Sequence, residues 1–141
     1  MPVTALIVDD SATARHVIGH HLREAGCVII GEAANATIAL RLFRERKPAV
    51  ITLDLMMPRV LNVDSMALLR TMKREMPEVA IIVVSMIPFV KTRNDFLDQG
   101  ALAFIRKPVD DTNFEPVRIK LRQLFHELAP TQFRTEVRRD T

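Results

Sequence analysis

Four short apolar runs recur along the chain, and each one ends on polar residues. Val3-Thr4-Ala5-Leu6-Ile7-Val8 leads to Asp9 and Asp10, and Ala49-Val50-Ile51-Thr52-Leu53 leads to Asp54. Ala80-Ile81-Ile82-Val83-Val84 leads to Ser85, and Ala101-Leu102-Ala103-Phe104-Ile105 leads through Arg106 to Lys107 and Pro108. Several runs are continuous instead of alternating, the mark of strands covered on both faces. If they lie parallel in one sheet, their polar ends meet at a single edge.

Helical patterns separate the runs. Within residues 11–25, Ala14, Val17, Ile18, Leu22 and Ala25 recur at helical spacing, and Gly26 ends the segment. Residues 27–31 read as a further short strand. Asn35 can cap a helix carrying Ala36, Ala39, Leu40 and Phe43 on one face, stopped before Pro48. A third helix, over residues 64–76, presents Leu68, Leu69, Met72 and Met76, and a fourth covers residues 90–99 before Gly100. The last begins near Thr112, where Thr112 and Glu115 have capping-box spacing and Pro116 falls in the first turn. Its expected inner face is Val117, Leu121, Leu124, Phe125 and Leu128. With right-handed crossovers, this alternation gives a doubly wound α/β sandwich, whose site lies beyond the carboxyl ends of the strands.

At 141 residues the chain can bury a core without staples, and 48% hydrophobic with 26% charged residues is ordinary for a globular protein. The single cysteine, Cys27, excludes an internal disulfide and fits a reducing compartment; beside Val28, Ile29 and Ile30 its thiol is expected to be buried. No apolar run reaches the length of a membrane span and no signal core opens the chain, so the expected location is cytoplasmic, without a membrane partner. Net charge is +3, with basic residues at 41–47, at 118–122 and in the tail. The lack of Trp, Tyr and glycine-aromatic motifs argues against nucleic-acid binding by this domain itself. His16, His20 and His21 are expected to face solvent. Residues 1–128 read as one domain, and residues 129–141 as a flexible tail or the start of a linker.

Asp9, Asp10 and Asp54 would place three carboxylates in one pocket, which repulsion disfavours unless a cation joins them. Magnesium, an octahedral ion with oxygen ligands that keeps some of its waters, is the natural partner. Lys107 would neutralise part of the charge, and Ser85 offers a hydroxyl donor. Aspartate attacks phosphorus in covalent phosphoenzymes, with metal and lysine stabilising the transferring group.

These residues, in this order and at these strand ends, resemble the receiver domain of bacterial two-component response regulators, over about residues 3–128. The resemblance rests on Asp9-Asp10, on Asp54 within Asp54-Leu55-Met56-Met57-Pro58, on Ser85 and on Lys107-Pro108. Residues 50–58 and 81–85, with Phe104, lean toward chemotaxis-regulator-like receivers. The resemblance implies a flavodoxin-like five-stranded parallel sheet in the order 2-1-3-4-5 with five helices. It implies that Asp54 is the phosphoacceptor, taking a phosphoryl group from a histidine kinase or histidine phosphotransfer protein of a phosphorelay. Magnesium would be held by Asp9, Asp10, Asp54 and the backbone carbonyl of Met56. Lys107 would pair with the phosphoryl group, Ser85 and Phe104 would act as switch residues, and the Lys107–Pro108 peptide bond would be cis. Such a domain catalyses only its own phosphorylation and dephosphorylation. It would act on a downstream protein target, or on an output domain missing from this chain, through its fourth helix, fifth strand and fifth helix. A homodimer is a further candidate.

Two features depart from the family pattern. Pro58 is followed by Arg59-Val60-Leu61-Asn62-Val63-Asp64-Ser65, where receivers have a short turn containing Asp-Gly; aligning residues 62–65 with that turn makes residues 59–61 an insertion. Met86 stands where the family has a small residue, and with Met56 and Ile87 it would border the family's path of attacking water; this predicts either a slowly hydrolysed acyl phosphate or phosphorylation hindered by the bulk of Met86. The alternative reading is a degenerate receiver, an interaction module independent of phosphorylation; the intact acidic pair, Asp54 and Lys107 argue against it. A haloacid dehalogenase-type phosphatase fits less well. That class separates its nucleophile and acid on the first strand, whereas here the first run ends in an adjacent pair.

Overall fold

The computed structural model describes residues 2–55 and 64–128. Among them run β1 (Thr4–Val8), α1 (Ala12–Glu24), β2 (Val28–Ala33), α2 (Ala36–Arg46), β3 (Val50–Asp54), α3 (Ser65–Glu75), β4 (Ala80–Ser85), α4 (Val90–Asp98), β5 (Ala103–Arg106) and α5 (Asp111–Leu124), closed by a 3-10 turn at His126–Leu128. The strands are all parallel, in the order β2-β1-β3-β4-β5. This is the flavodoxin-like, doubly wound sheet that the resemblance implied.

The continuous apolar runs follow from this layering. Successive strand side chains point to opposite faces, and both faces are covered, so neighbours in sequence enter different cores. Ile7, Val50, Ile82 and Ile105 pack with Ile18 and Leu22 of α1 and with Phe114, Val117 and Leu121 of α5. Leu6, Ile51, Leu53, Ile81 and Val83 pack with Phe43 of α2, Leu68, Leu69 and Met72 of α3 and Phe96 of α4. Each such side chain, fully buried, contributes about 1.5–3 kcal/mol relative to exposure. Local chemistry starts the helices: the side chains of Ser11, Asn35, Asp64 and Asp110 each accept a backbone N–H of the first turn.

The structure revises four expectations. β2 excludes Cys27, its pairing with β1 beginning at Val28, and runs past Gly31 to Ala33, because pairing resumes at Gly31 after the register slips between Ala5 and Leu6. α5 begins earlier, with its capping box formed by Asp110 and Asn113 instead of Thr112 and Glu115, so Pro116 lies inside the helix, beyond its first turn. Phe114 joins the core, whereas Leu124 is 53% exposed. Lastly, His16 and His20 are exposed, but His21 is buried, its ring 5.3 Å from that of Phe114 and its Nδ1 3.6 Å from Asp111 Oδ1. The buried stripe of α1 includes Ile18, His21 and Leu22, and Val17 lies at its exposed margin.

Candidate functional site

Register assembles the site. Val8 pairs with Leu53, so the next residues, Asp9 and Asp54, leave adjacent strands side by side. Asp54 pairs with Val84 and Ser85 with Arg106, which brings Ser85 and then Lys107 to the same edge. One carboxylate oxygen from each of Asp9, Asp10 and Asp54 lies within 4.8 Å of the others. Asp9 and Asp54 are buried and Asp10 is exposed. Lys107 Nζ stands 2.7 Å from Asp9 Oδ2 and 3.7 Å from Asp54 Oδ2.

Several backbone contacts hold these groups. Asp9 Oδ1 accepts the N–H of Ser11 at 2.9 Å, and the N–H of Asp9 donates to the carbonyl of Ala33 at 2.9 Å. The Ser65 hydroxyl donates to the carbonyl of Asp54 at 3.0 Å, tying the end of β3 to the first turn of α3. Ser85 Oγ accepts the N–H of Ile87 at 3.0 Å, leaving its own hydrogen to donate elsewhere. The N–H of Lys107 donates to the carbonyl of Ser85 at 2.9 Å, and the Lys107–Pro108 peptide bond is cis.

The donor set fits a hard cation. Asp9 Oδ2 is buried and accepts no hydrogen bond among the described residues; its contact with Lys107 is an ion pair without hydrogen-bond geometry. The Lys107 ammonium contacts two of the three clustered carboxylates, those of Asp9 and Asp54. Magnesium favours such all-oxygen sites. Met56 and the loop to Val63, with the expected insertion, lie outside the described residues, as does the tail from Ala129.

A cavity of about 520 Å³ opens beside the carboxylates, walled by Val17, Met86, Pro108 and Val109 and reaching Asp54 and Lys107. Met86 is 66% exposed on its rim, and Ile87 is half-buried. Phe104 is half-buried and packs against the core face that contains Ile81 and Phe96. It also lines a groove of about 180 Å³ with Arg93, Leu97, Pro116 and Lys120, on the face of α4, β5 and α5.

Sequence reasoning missed two supporting residues. Arg15 Nη1 donates to the carbonyl of Asp9 at 2.7 Å while its Nε donates to Glu32 of β2 at 3.1 Å. Asn113 bonds to the loop that carries Lys107. Arg15 follows Asp10 by little more than one helical turn, and that spacing was its available signal.

The sequence pattern of the response regulator receiver domain matches residues 5–116. A response regulatory protein of Vibrio parahaemolyticus is 29% identical over 140 residues, covering 99% of this chain and 55% of its own length. A protein-glutamate methylesterase/protein-glutamine glutaminase of Hahella chejuensis is 35% identical over 105 residues, covering 73% of this chain and 29% of its own length. The chain thus spans about half of the first relative and under a third of the second. Among solved structures, the isolated receiver domain of RcsB from Salmonella enterica superposes with a TM-score of 0.79 at 22% identity, covering 87% of this chain and 90% of that one. CheY of Borrelia burgdorferi, in a complex with CheX, beryllofluoride and magnesium, superposes at 0.76 with 26% identity, covering 89% and 90%. With that match across most of its length, and with this fold, the chain belongs to the response regulator receiver domain family.

Proposed function

We propose that the chain is a phosphorylatable receiver, in which Asp54 accepts a phosphoryl group from a phosphohistidine of a kinase or phosphotransfer protein. The observation that carries this reading is the ion contact of Lys107 with both Asp9 and Asp54, beside Asp10. The Asp54 carboxylate attacks phosphorus and forms a P–O bond. The P–N bond to the donor imidazole breaks, its electron pair returning to the ring, which takes a proton from solvent. Lys107 Nζ then pairs with a phosphoryl oxygen, and the Ser85 hydroxyl donates to another. Asp9, Asp10 and Asp54, with the backbone carbonyl of Met56, would hold magnesium. When bound, it supplies positive charge that offsets repulsion between the carboxylates and the phosphoryl oxygens.

The modification is read out at the surface. Ser85, drawn toward the phosphoryl group, and Phe104, turning inward, would reshape the groove between α4 and α5. Phosphorylation thereby biases a two-state equilibrium that a downstream protein or an attached output domain senses. The location is assigned to the cytoplasm. No activity on another substrate is assigned to the chain.

Incubation with magnesium and acetyl phosphate, followed by intact-mass measurement beside Asp54→Ala, tests the reading. A single labile phosphoryl adduct that the variant lacks is expected. No adduct on the unmodified chain would point to a degenerate interaction module, and steady phosphate release to a hydrolase; either overturns the proposal.

A further inference from the structure

We infer that Asn113 is the positioning residue for Lys107, acting through the two backbone carbonyls on either side of it; this rests on the role proposed above for Lys107. Asn113 Nδ2 donates to the carbonyl of Arg106 at 3.0 Å and to that of Pro108 at 2.8 Å. Its Oδ1 accepts the N–H of Asp110 at 2.9 Å, and its own N–H donates to Asp110 Oδ1 at 2.8 Å. One side chain thus joins the last residue of β5, the loop and the first turn of α5.

Lys107 lies between the two bonded carbonyls. A lysine stem is long and flexible, so the direction of its ammonium depends on where the backbone beneath it is held. With both neighbouring carbonyls restrained, and its own N–H bonded to Ser85, Lys107 has little freedom to move away from Asp9 and Asp54.

The chemistry requires an amide. In a capping box, the third helical residue needs only an acceptor for the N–H at the cap, which a carboxylate provides equally well. A carboxylate has no hydrogen for a carbonyl, whereas an amide has two. Both amide hydrogens of Asn113 go to the lysine loop, so capping by itself does not account for them.

Asn113→Asp retains the capping acceptor and removes both donors; Asn113→Ala removes the side-chain contacts without adding charge. Hydrogen exchange and phosphorylation by acetyl phosphate are measured on each, with and without Lys107→Met. In both variants the Lys107 amide should exchange roughly tenfold faster, and in Asn113→Asp the amides of Val117 and Leu121 should keep their protection. Phosphorylation of Asn113→Asp should slow by roughly tenfold, as for loss of other supporting contacts. Calorimetric magnesium affinity should change by less than about twofold, since the Asn113 side chain bonds to the backbone of Arg106, Pro108 and Asp110. On the Lys107→Met background, Asn113→Asp should slow the reaction no further. Unchanged exchange at Lys107, or an equal loss of protection along α5, overturns the inference, the second by making Asn113 only a helix cap. If the unmodified chain takes no phosphoryl group, the role of Lys107 fails separately, and exchange at Lys107 still decides whether Asn113 holds the loop.

Discussion

Lys107 and Asp9 meet at 2.7 Å, with the aspartate side chain wholly buried and that of the lysine 17% exposed. Removing one member of such a pair leaves a buried charge uncompensated. Lys107→Met should therefore lower metal-free stability by about 2–4 kcal/mol in urea denaturation. Magnesium should restore part of the loss, and a variant as stable as the unmodified chain would show the pair to be energetically idle.

Asp10 is the exposed member of the acidic cluster. Asp10→Ala should leave metal-free stability within about 0.5 kcal/mol. The unmodified chain should gain about 2.7 kcal/mol at a magnesium concentration a hundredfold above its dissociation constant, and lose it to a chelator. Thermal melting should show most of that gain missing from Asp10→Ala.

Burial pushes the Cys27 thiol up from 9.0 to about 11. The folded state therefore retains this proton at pH values where the unfolded state has released it. The stabilisation is complete below about pH 9 and is lost as pH rises toward 11. Urea midpoints at pH 8 and pH 10.5 should reveal a loss on the order of 1–3 kcal/mol that Cys27→Ala does not share. No tyrosine titrates in the same range to confuse the comparison.

Phe114 is 1% exposed and Leu124 is 53% exposed. Phe114→Ala should cost about 3–5 kcal/mol, whereas Leu124→Glu should stay within about 0.5 kcal/mol. Equal costs in chemical denaturation would contradict this placement of α5.

Met86 stands on the rim of the cavity that reaches Asp54. Truncating it gives water more room, so the acyl phosphate of Met86→Ala should decay roughly fivefold faster, a barrier change of about 1 kcal/mol. Decay of the adduct in magnesium buffer, followed by mass, provides the comparison.

The strands and their polar ends were legible because each is a local property: an apolar run long enough for a strand, then a residue that cannot stay in the core. The start of α5 was less so. Thr112 with Glu115 and Asp110 with Asn113 have the same spacing, and residues 106–108 decide between them by offering carbonyls to the Asn113 amide. The burial of His21 was hidden for a similar reason. Phe114, which packs against its ring, lies far away in sequence and was not expected in the core.

By itself, the sequence determined which segments become strands and helices, and which acids, hydroxyl and lysine stand at their ends, since those depend on neighbours a few residues away. Only the tertiary structure decided that Lys107 reaches both Asp9 and Asp54, that Arg15 grips the carbonyl of Asp9, and that Asn113 restrains the lysine loop. Those contacts join groups on different strands and helices. Their distances are set by strand register and by helices packing across the sheet, both collective properties of the folded chain.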